Sequence, residues 1–289
     1  MKTYLECMPC FVSQSVDAVK MVTDDPDERM RITRSALRII SRVPDDMPPP
    51  ALAGRIHRMI RSETDVHDPY EAIKKRSNEF ALDRLGAVRE RAEKADDSFE
   101  AALRFSIAGN IMDWGAKTHS DVSPEGVDEI IEKCLEDPIQ GIEPRTLRDK
   151  IEAADDVLYL ADNAGEIVMD RVFIEQMSGT EITVAVKSDP IINDALLADA
   201  RQAGLSDVVP VIETGADTPG AVWEECHEEF KNRFRRSDLV ISKGQGNYES
   251  LSHVRENDNI TFLLKVKCPV VARDTGYSTG DMVIMDASQ

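Results

Sequence analysis

Asp162 and Asn163 follow directly on a β-branched run at 157–161, and Asn193 and Asp194 follow a second such run at 181–186. Asp and Asn side chains present hard oxygen donors, the kind that suit Mg²⁺ or Mn²⁺. Two or three such donors leave coordination positions open for water and a phosphate oxygen, and a cation held there polarises a phosphoryl group. Lysine and glycine stand at comparable places. Lys187-Ser188-Asp189-Pro190 follows the second run, Thr214-Gly215-Ala216-Asp217 a third, and Lys243-Gly244-Gln245-Gly246-Asn247 a fourth. A lysine neutralises phosphate charge, and glycines let backbone N–H groups approach an anion.

Each residue also has a plainer reading. Asp162 can cap the helix expected from Glu166. Asn193 and Asp194 sit where the first turn of the next helix is expected, a place that favours acids. A lysine beside glycine is usually a solvated loop. What argues for a ligand site is that all of these residues fall at the carboxyl ends of expected strands, where open parallel sheets bind ligands. The common phosphate motifs are missing: no G-x-x-x-x-G-K-[ST] run occurs, and Gly244-Gln245-Gly246 is followed by Glu249 where a third glycine would complete G-x-G-x-x-G. Two residues after Asp162, where an aspartyl-phosphate phosphatase carries a second aspartate, the chain has Ala164.

The elements that must position these residues divide the chain into a helical region, 1–150, and an α/β region, 151–289. Within the first, apolar residues recur at helical spacing, as at Ile73, Phe80, Ala81, Leu85 and Val88, with punctuation at Pro26, Pro44 to Pro50, Pro69, Pro124 and Pro138. No β-run is expected there. A helix is expected over 99–115. The second region alternates runs at 157–161, 181–186, 208–213 and 239–242 with helices at 166–177, 191–203 and 221–234, the order of a mostly parallel, Rossmann-like sheet flanked by helices. Further strands are expected at 261–266 and 270–273, with room for one of them to lie antiparallel at an edge.

The formal charge of −19 argues against nucleic acid as a partner. It leaves room for a small phosphorylated metabolite, because a divalent cation can dominate the field inside a pocket. No stretch approaches the ~20 apolar residues of a membrane helix, and the first residues lack the apolar run of a signal peptide. A soluble, cytoplasmic protein is expected. Five cysteines do not suggest a disulfide scaffold.

The motifs Asp162-Asn163-Ala164-Gly165-Glu166, Asn193-Asp194-Ala195 and 242–247 resemble those of the damage-control phosphatase family, formerly domain of unknown function 89. Eukaryotic relatives in that family include one called acidic residue methyltransferase 1. Gly109-Asn110-Ile111-Met112-Asp113 resembles a further family motif, and Cys7-Met8-Pro9-Cys10 the cysteine pair of its shorter prokaryotic branch. The resemblance implies helices packed on a Rossmann-like domain and a divalent metal (Mg, Mn, Co or Ni) on Asp162, Asn163 and Asp194. It implies hydrolysis of small phosphometabolites, such as sugar phosphates or damaged cofactor precursors. Lys243 would contact phosphate beside Gly244, and Asn110 and Asp113 would reach into the cleft. Glu166 would line the site or act on water, although stabilisation of a helix N-terminus explains it as well. Asp162 and Asp194 are the candidate catalytic acids, and Asn193 and Glu166 candidate substrate contacts.

Cys7 and Cys10 have three readings: core packing, a soft-metal site with Cys268 and one of His57, His67 or Cys134, or a redox pair. Cys226 reads as helix filler. Two other functions share the same crevice: a carboxyl methyltransferase using S-adenosylmethionine, which does not require the metal trio, and a non-catalytic metal- or phosphometabolite-binding protein.

Overall fold

The structure, a computed structural model, describes residues 1–44, 46–109 and 135–287. Asn110, Asp113 and Cys134 lie outside the described residues. The chain begins with five helices: α1 (Cys7–Val22), α2 (Pro26–Ile40), α3 (Pro49–Ser62), α4 (Glu71–Lys94) and α5 (Ser98–Gly109). Their starts are written locally. Proline stands in the first turn of α2 and α3, where its missing N–H costs nothing. The Asp25 carboxylate caps α2 by accepting from the N–H groups of Asp27 and Glu28.

There follow β1 (Ile139–Gly141), α6 (Pro144–Ala153), β2 (Asp156–Leu160), α7 (Glu166–Ile174), β3 (Glu181–Val186), α8 (Leu197–Gln202), β4 (Val211–Glu213), α9 (Glu228–Arg236), β5 (Leu239–Lys243), α10 (Gly244–Leu251), β6 (Ile260–Lys265), α11 (Pro269–Thr275) and β7 (Met282–Asp286). The seven strands form one sheet in the order β1-β7-β6-β5-β2-β3-β4. Every neighbouring pair is parallel except β6 and β7. From β2 the chain winds outward to β3 and β4, then returns to lay β5 on the other side. The point where strand order reverses therefore lies between β2 and β5, where such sheets open a crevice.

Successive residues of a strand face opposite sides of the sheet. Val157 and Tyr159 of β2 join a core with α4, α5 and α7, while Leu158 and Leu160 join a second core with α9, α10 and α11. Burial on both faces explains why β2 and β5 read as continuous apolar runs. A third core, built on Phe11, Ile32, Leu52, Ile56 and Ile60, unites α1, α2 and α3 and takes in Val222 from the α/β half. Among the described residues, no helix is long and apolar enough to cross a membrane.

Several expectations need correction. The run 270–273 is helical, inside α11: Pro269 has no ladder N–H and its fixed φ suits a first helical turn, while Cys268 caps it. The antiparallel strand is β7, and it is not at the edge, because β1 pairs along its outer side. β1 is itself a strand within the region expected to be all-helical. The run 208–213 contributes only its last three residues, and 221–234 is split between a 3₁₀ turn, Trp223–Glu225, and α9. Cys226 lies between the two, so it is not helix filler; it is buried, with its thiol on the Val222 carbonyl. The helix expected over 191–203 starts only at Leu197.

Candidate functional site

The late start of α8 decides where Asn193 and Asp194 go. Neither is in a helix. The segment before α8 runs back along the loop after β2, and Asn163 pairs with Asp194 in an isolated antiparallel bridge. The backbone stitches the two loops together: Ala164 N–H donates to Asn193 O at 2.9 Å, and Ala195 N–H donates to Asp162 O at 2.8 Å. Lys187 N–H donates to Ala195 O at 3.0 Å, which fastens the same segment to the end of β3. Ile192 has φ of +42°, a conformation that a β-branched residue adopts only under constraint. Local helix preference has lost here to backbone pairing with a distant strand.

Side chains on these loops form one buried cluster. Asp162, Asn163, Glu166, Asp170, Lys187, Asp194 and Lys243 are all buried, Asn163 being the most exposed at 8%. Asn163 Nδ2 donates to Asp162 Oδ2 at 2.8 Å and to Glu166 Oε2 at 3.1 Å. Lys187 Nζ lies 3.7 Å from Asp194 Oδ2 and donates to Asn247 Oδ1 at 3.3 Å. Asn247 Nδ2 in turn donates to the carbonyls of Lys243 and Ala161, tying α10 to the ends of β5 and β2. Gly220 N–H approaches Asp194 Oδ2 at 3.4 Å. Its loop is held by Arg58 and Arg61 of α3, both paired with Asp217.

Lys243 was expected to meet phosphate. Its ammonium has three N–H donors, and here they meet Glu166 Oε1 at 2.8 Å, Asp170 Oδ1 at 2.5 Å and the Ser106 carbonyl at 3.0 Å. Burial disfavours the ammonium, but Asp170 and Glu166 outweigh it, and the pKa lies above the usual lysine value. Asp170 escaped the sequence reading. It is four residues after Glu166 on α7, so the two acids share a face of a helix whose other charged residue, Arg171, pairs with Glu175. That spacing was the available signal, since two buried acids on one face require a cation. Tyr159 and Ser106 complete the setting, both donating to Asp170 Oδ1.

Counted at full ionisation, four carboxylates (Asp162, Glu166, Asp170 and Asp194) share this cluster with two ammonium groups, Lys187 and Lys243. Full ionisation would leave two negative charges in excess, which burial opposes: the pKa of Asp170 is raised, by burial first. The strain shows at Asp162, whose pKa is pushed well above the carboxylate range by burial and then by the charges of Glu166 and Asp194. Lys267, exposed beyond β6, pulls the other way on Asp162. A divalent cation at the Asp162–Asn163–Asp194 junction would neutralise that excess. Among the described residues, no three His, Cys, Asp or Glu side chains are gathered so as to hold a metal ion, so a cation here would also need the Asn163 amide.

Glycine opens the junction. Gly244 has φ of +80°, and a Cβ there would collide with the Asp162 carboxylate. The first turn of α10 can therefore bring its backbone N–H groups against that oxygen cluster. Behind the loop, Asn78 of α4 accepts from Gly165 N–H at 2.6 Å and donates to Asp199 and Gln202 of α8, bracing both converging segments at once. Of the cysteines, Cys7 and Cys10 of α1 line a cavity together with Cys268. His57 is elsewhere, buried against Tyr70.

The damage-control phosphatase ARMT1-like domain matches residues 3–283 of this sequence. The chain belongs to this family. It is 34% identical over 293 residues to a damage-control phosphatase of Pyrococcus horikoshii, covering 99% of this chain and 98% of that protein. To one of Archaeoglobus fulgidus it is 36% identical over 282 residues, covering 96% of each. An uncharacterised protein of Methanocaldococcus jannaschii shares 37% identity, over 97% of this chain and 94% of that one. A crystal structure of a DUF89 family protein from Pyrococcus horikoshii superposes with a TM-score of 0.90, at 33% identity and 99% coverage of both chains.

Proposed function

We propose that this chain hydrolyses phosphate monoesters of small metabolites, using a divalent cation held by Asp162, Asn163 and Asp194. The observation that carries the reading is the buried cluster at the β2/β5 crevice, four carboxylates against two ammonium groups, with Gly244 packed directly on the Asp162 carboxylate. Its relatives in Pyrococcus and Archaeoglobus are named damage-control phosphatases, which supports the same reaction class.

The cation, when bound, supplies Lewis-acid polarisation of the phosphoryl group and neutralises developing charge. The chain's own groups supply the rest. Burial, then the charges of Glu166 and Asp194, raises the Asp162 pKa, and a bound cation would favour its ionised form. The backbone N–H groups at the start of α10, where Gly244 packs against the Asp162 carboxylate, would receive phosphoryl oxygens. Lys267, exposed and close enough for its charge to lower the Asp162 pKa, would add positive potential for an incoming phosphate. Lys243 serves from behind, holding the Glu166 carboxylate in position while Glu166 accepts from Asn163. Asp162, ionised beside the cation, would act on the attacking water.

The deciding experiment is a phosphate-ester panel run with Mg²⁺, Mn²⁺, Co²⁺ or Ni²⁺, beside Asp162→Ala and a chelator control. Metal-dependent phosphate release that Asp162→Ala abolishes is the expected outcome. Full activity in a folded Asp162→Ala variant would remove this residue from the mechanism. Stabilisation by S-adenosylmethionine, and by none of the divalent ions, would favour a transferase instead.

A further inference from the structure

Next to the charged cluster lies a cavity of about 240 Å³ that the proposed chemistry does not use. One wall comes from the helical half: Cys7, Cys10 and Phe11 of α1, and Pro49 and Ala53 of α3. The opposite wall comes from the segments that carry the candidate site. Ile192 precedes Asn193 and Asp194, Pro219 precedes Gly220, Gln245 and Gly246 follow Gly244, and Cys268 follows Lys267. Four loops of the candidate site thus also build this wall: Gly246 packs against Pro219 and Gly220, and Gly220 N–H in turn approaches Asp194 Oδ2 at 3.4 Å.

Its chemistry is one-sided. No lysine, arginine or histidine is among the described residues that line it, while Glu6 and Glu249 both do. The remaining lining is mainly apolar, with the amides of Gln14 and Gln245 and three thiols as weak polar groups. Burial pushes the thiols of Cys7 and Cys10 above the usual cysteine pKa, so they stay neutral. Glu6 is already paired with Arg273 at 2.9 Å, and burial pushes the Glu249 pKa up to about 7, so a second anionic group would shed its water in a mainly apolar lining that offers it no unpaired cation of its own.

We propose that this cavity receives the organic part of the phosphate ester, and that it selects an uncharged, largely apolar group. The helical half then sets selectivity while the α/β half supplies the reaction. The inference rests on the phosphatase reading, and its test separates the two. Benzyl phosphate, 4-carbamoylbenzyl phosphate and 4-carboxybenzyl phosphate differ little at the reacting oxygen but differ in charge at the far end. The first two should have kcat/KM within about three-fold of each other, and the third should fall at least ten-fold through KM, as charge exclusion from a mainly apolar cavity requires. Cys10→Trp, at an exposed position, should raise KM for benzyl phosphate at least five-fold and leave methyl phosphate unchanged. Equal kcat/KM for the three benzyl esters, or an unaltered KM in Cys10→Trp, would overturn the proposal with the phosphatase intact. A readout without turnover is labelling of Cys10 by N-ethylmaleimide in the manganese-supplied protein. Benzylphosphonate should slow it and methylphosphonate should not. Identical labelling in both would also reject the cavity as the binding place, and slowed labelling without hydrolysis of any ester would reject the phosphatase alone.

Discussion

Asn163 and Asp194, 31 positions apart, are partners in a single antiparallel β-bridge. Bridge partners carry their side chains on the same face, about 5 Å apart, which is the spacing needed for an amide and a carboxylate to share one cation. The pairing follows from the backbone bonds on either side of it, so the donor geometry is part of the fold. Asp194→Asn keeps the shape and removes the charge. Manganese affinity, measured by titration against thermal stability, should fall on the order of ten-fold or more. An unchanged manganese titration in this variant would exclude Asp194 as a ligand.

Lys243 tests whether a buried cation is structural or meets substrate. Lys243→Met leaves Glu166 and Asp170 without their partner in a dry interior. Breaking a buried pair in this way costs about 3–5 kcal/mol, which urea denaturation would resolve. Wild-type stability together with lost activity would instead place the ammonium on the phosphate.

Gly244 and Gly276 have nearly the same backbone, φ +80° and +79°, but different surroundings. A Cβ on Gly276 meets nothing within 4 Å, and one on Gly244 meets the Asp162 carboxylate. Gly276→Ala should cost only the conformational penalty, roughly 1–2 kcal/mol. Gly244→Ala should cost more and also reduce phosphate release. Equal losses in both variants would show that the close approach to Asp162 does not matter.

His57 gives a pH signature. Burial first, then Arg61, lowers its pKa from 6.5 to about 4. The unfolded chain therefore binds a proton that the native state refuses between these values. Its contribution is present above pH 6.5 and is lost as pH falls toward 4, by up to about 3 kcal/mol. His57→Phe should flatten the stability curve over that window; the same acid limb in the variant would assign the loss to other groups.

The sequence by itself determined the sheet-and-helix alternation, the polar and glycine-rich loops at the strand ends, and the motifs by which the family is recognised. These are local properties: period-2 and period-3.6 patterns, glycine at turns, and acids directly after apolar runs. Where local signals conflict, the sequence misleads. The run 270–273 is β-branched enough for a strand, yet Pro269 makes it a helix. Asn193 and Asp194 read as a helix start, yet backbone partners from the loop after β2 pull them into a bridge.

Only the tertiary structure decided that Lys243 faces Glu166 and Asp170, that Asp162 sits against Gly244, and that Cys7, Cys10 and Cys268 share a cavity with the loops of the site. Those relationships depend on β5 lying beside β2 and on α1 and α3 closing over the crevice. Strand order and interhelical packing are set by the burial of whole faces, and no window of sequence contains both partners of such a contact.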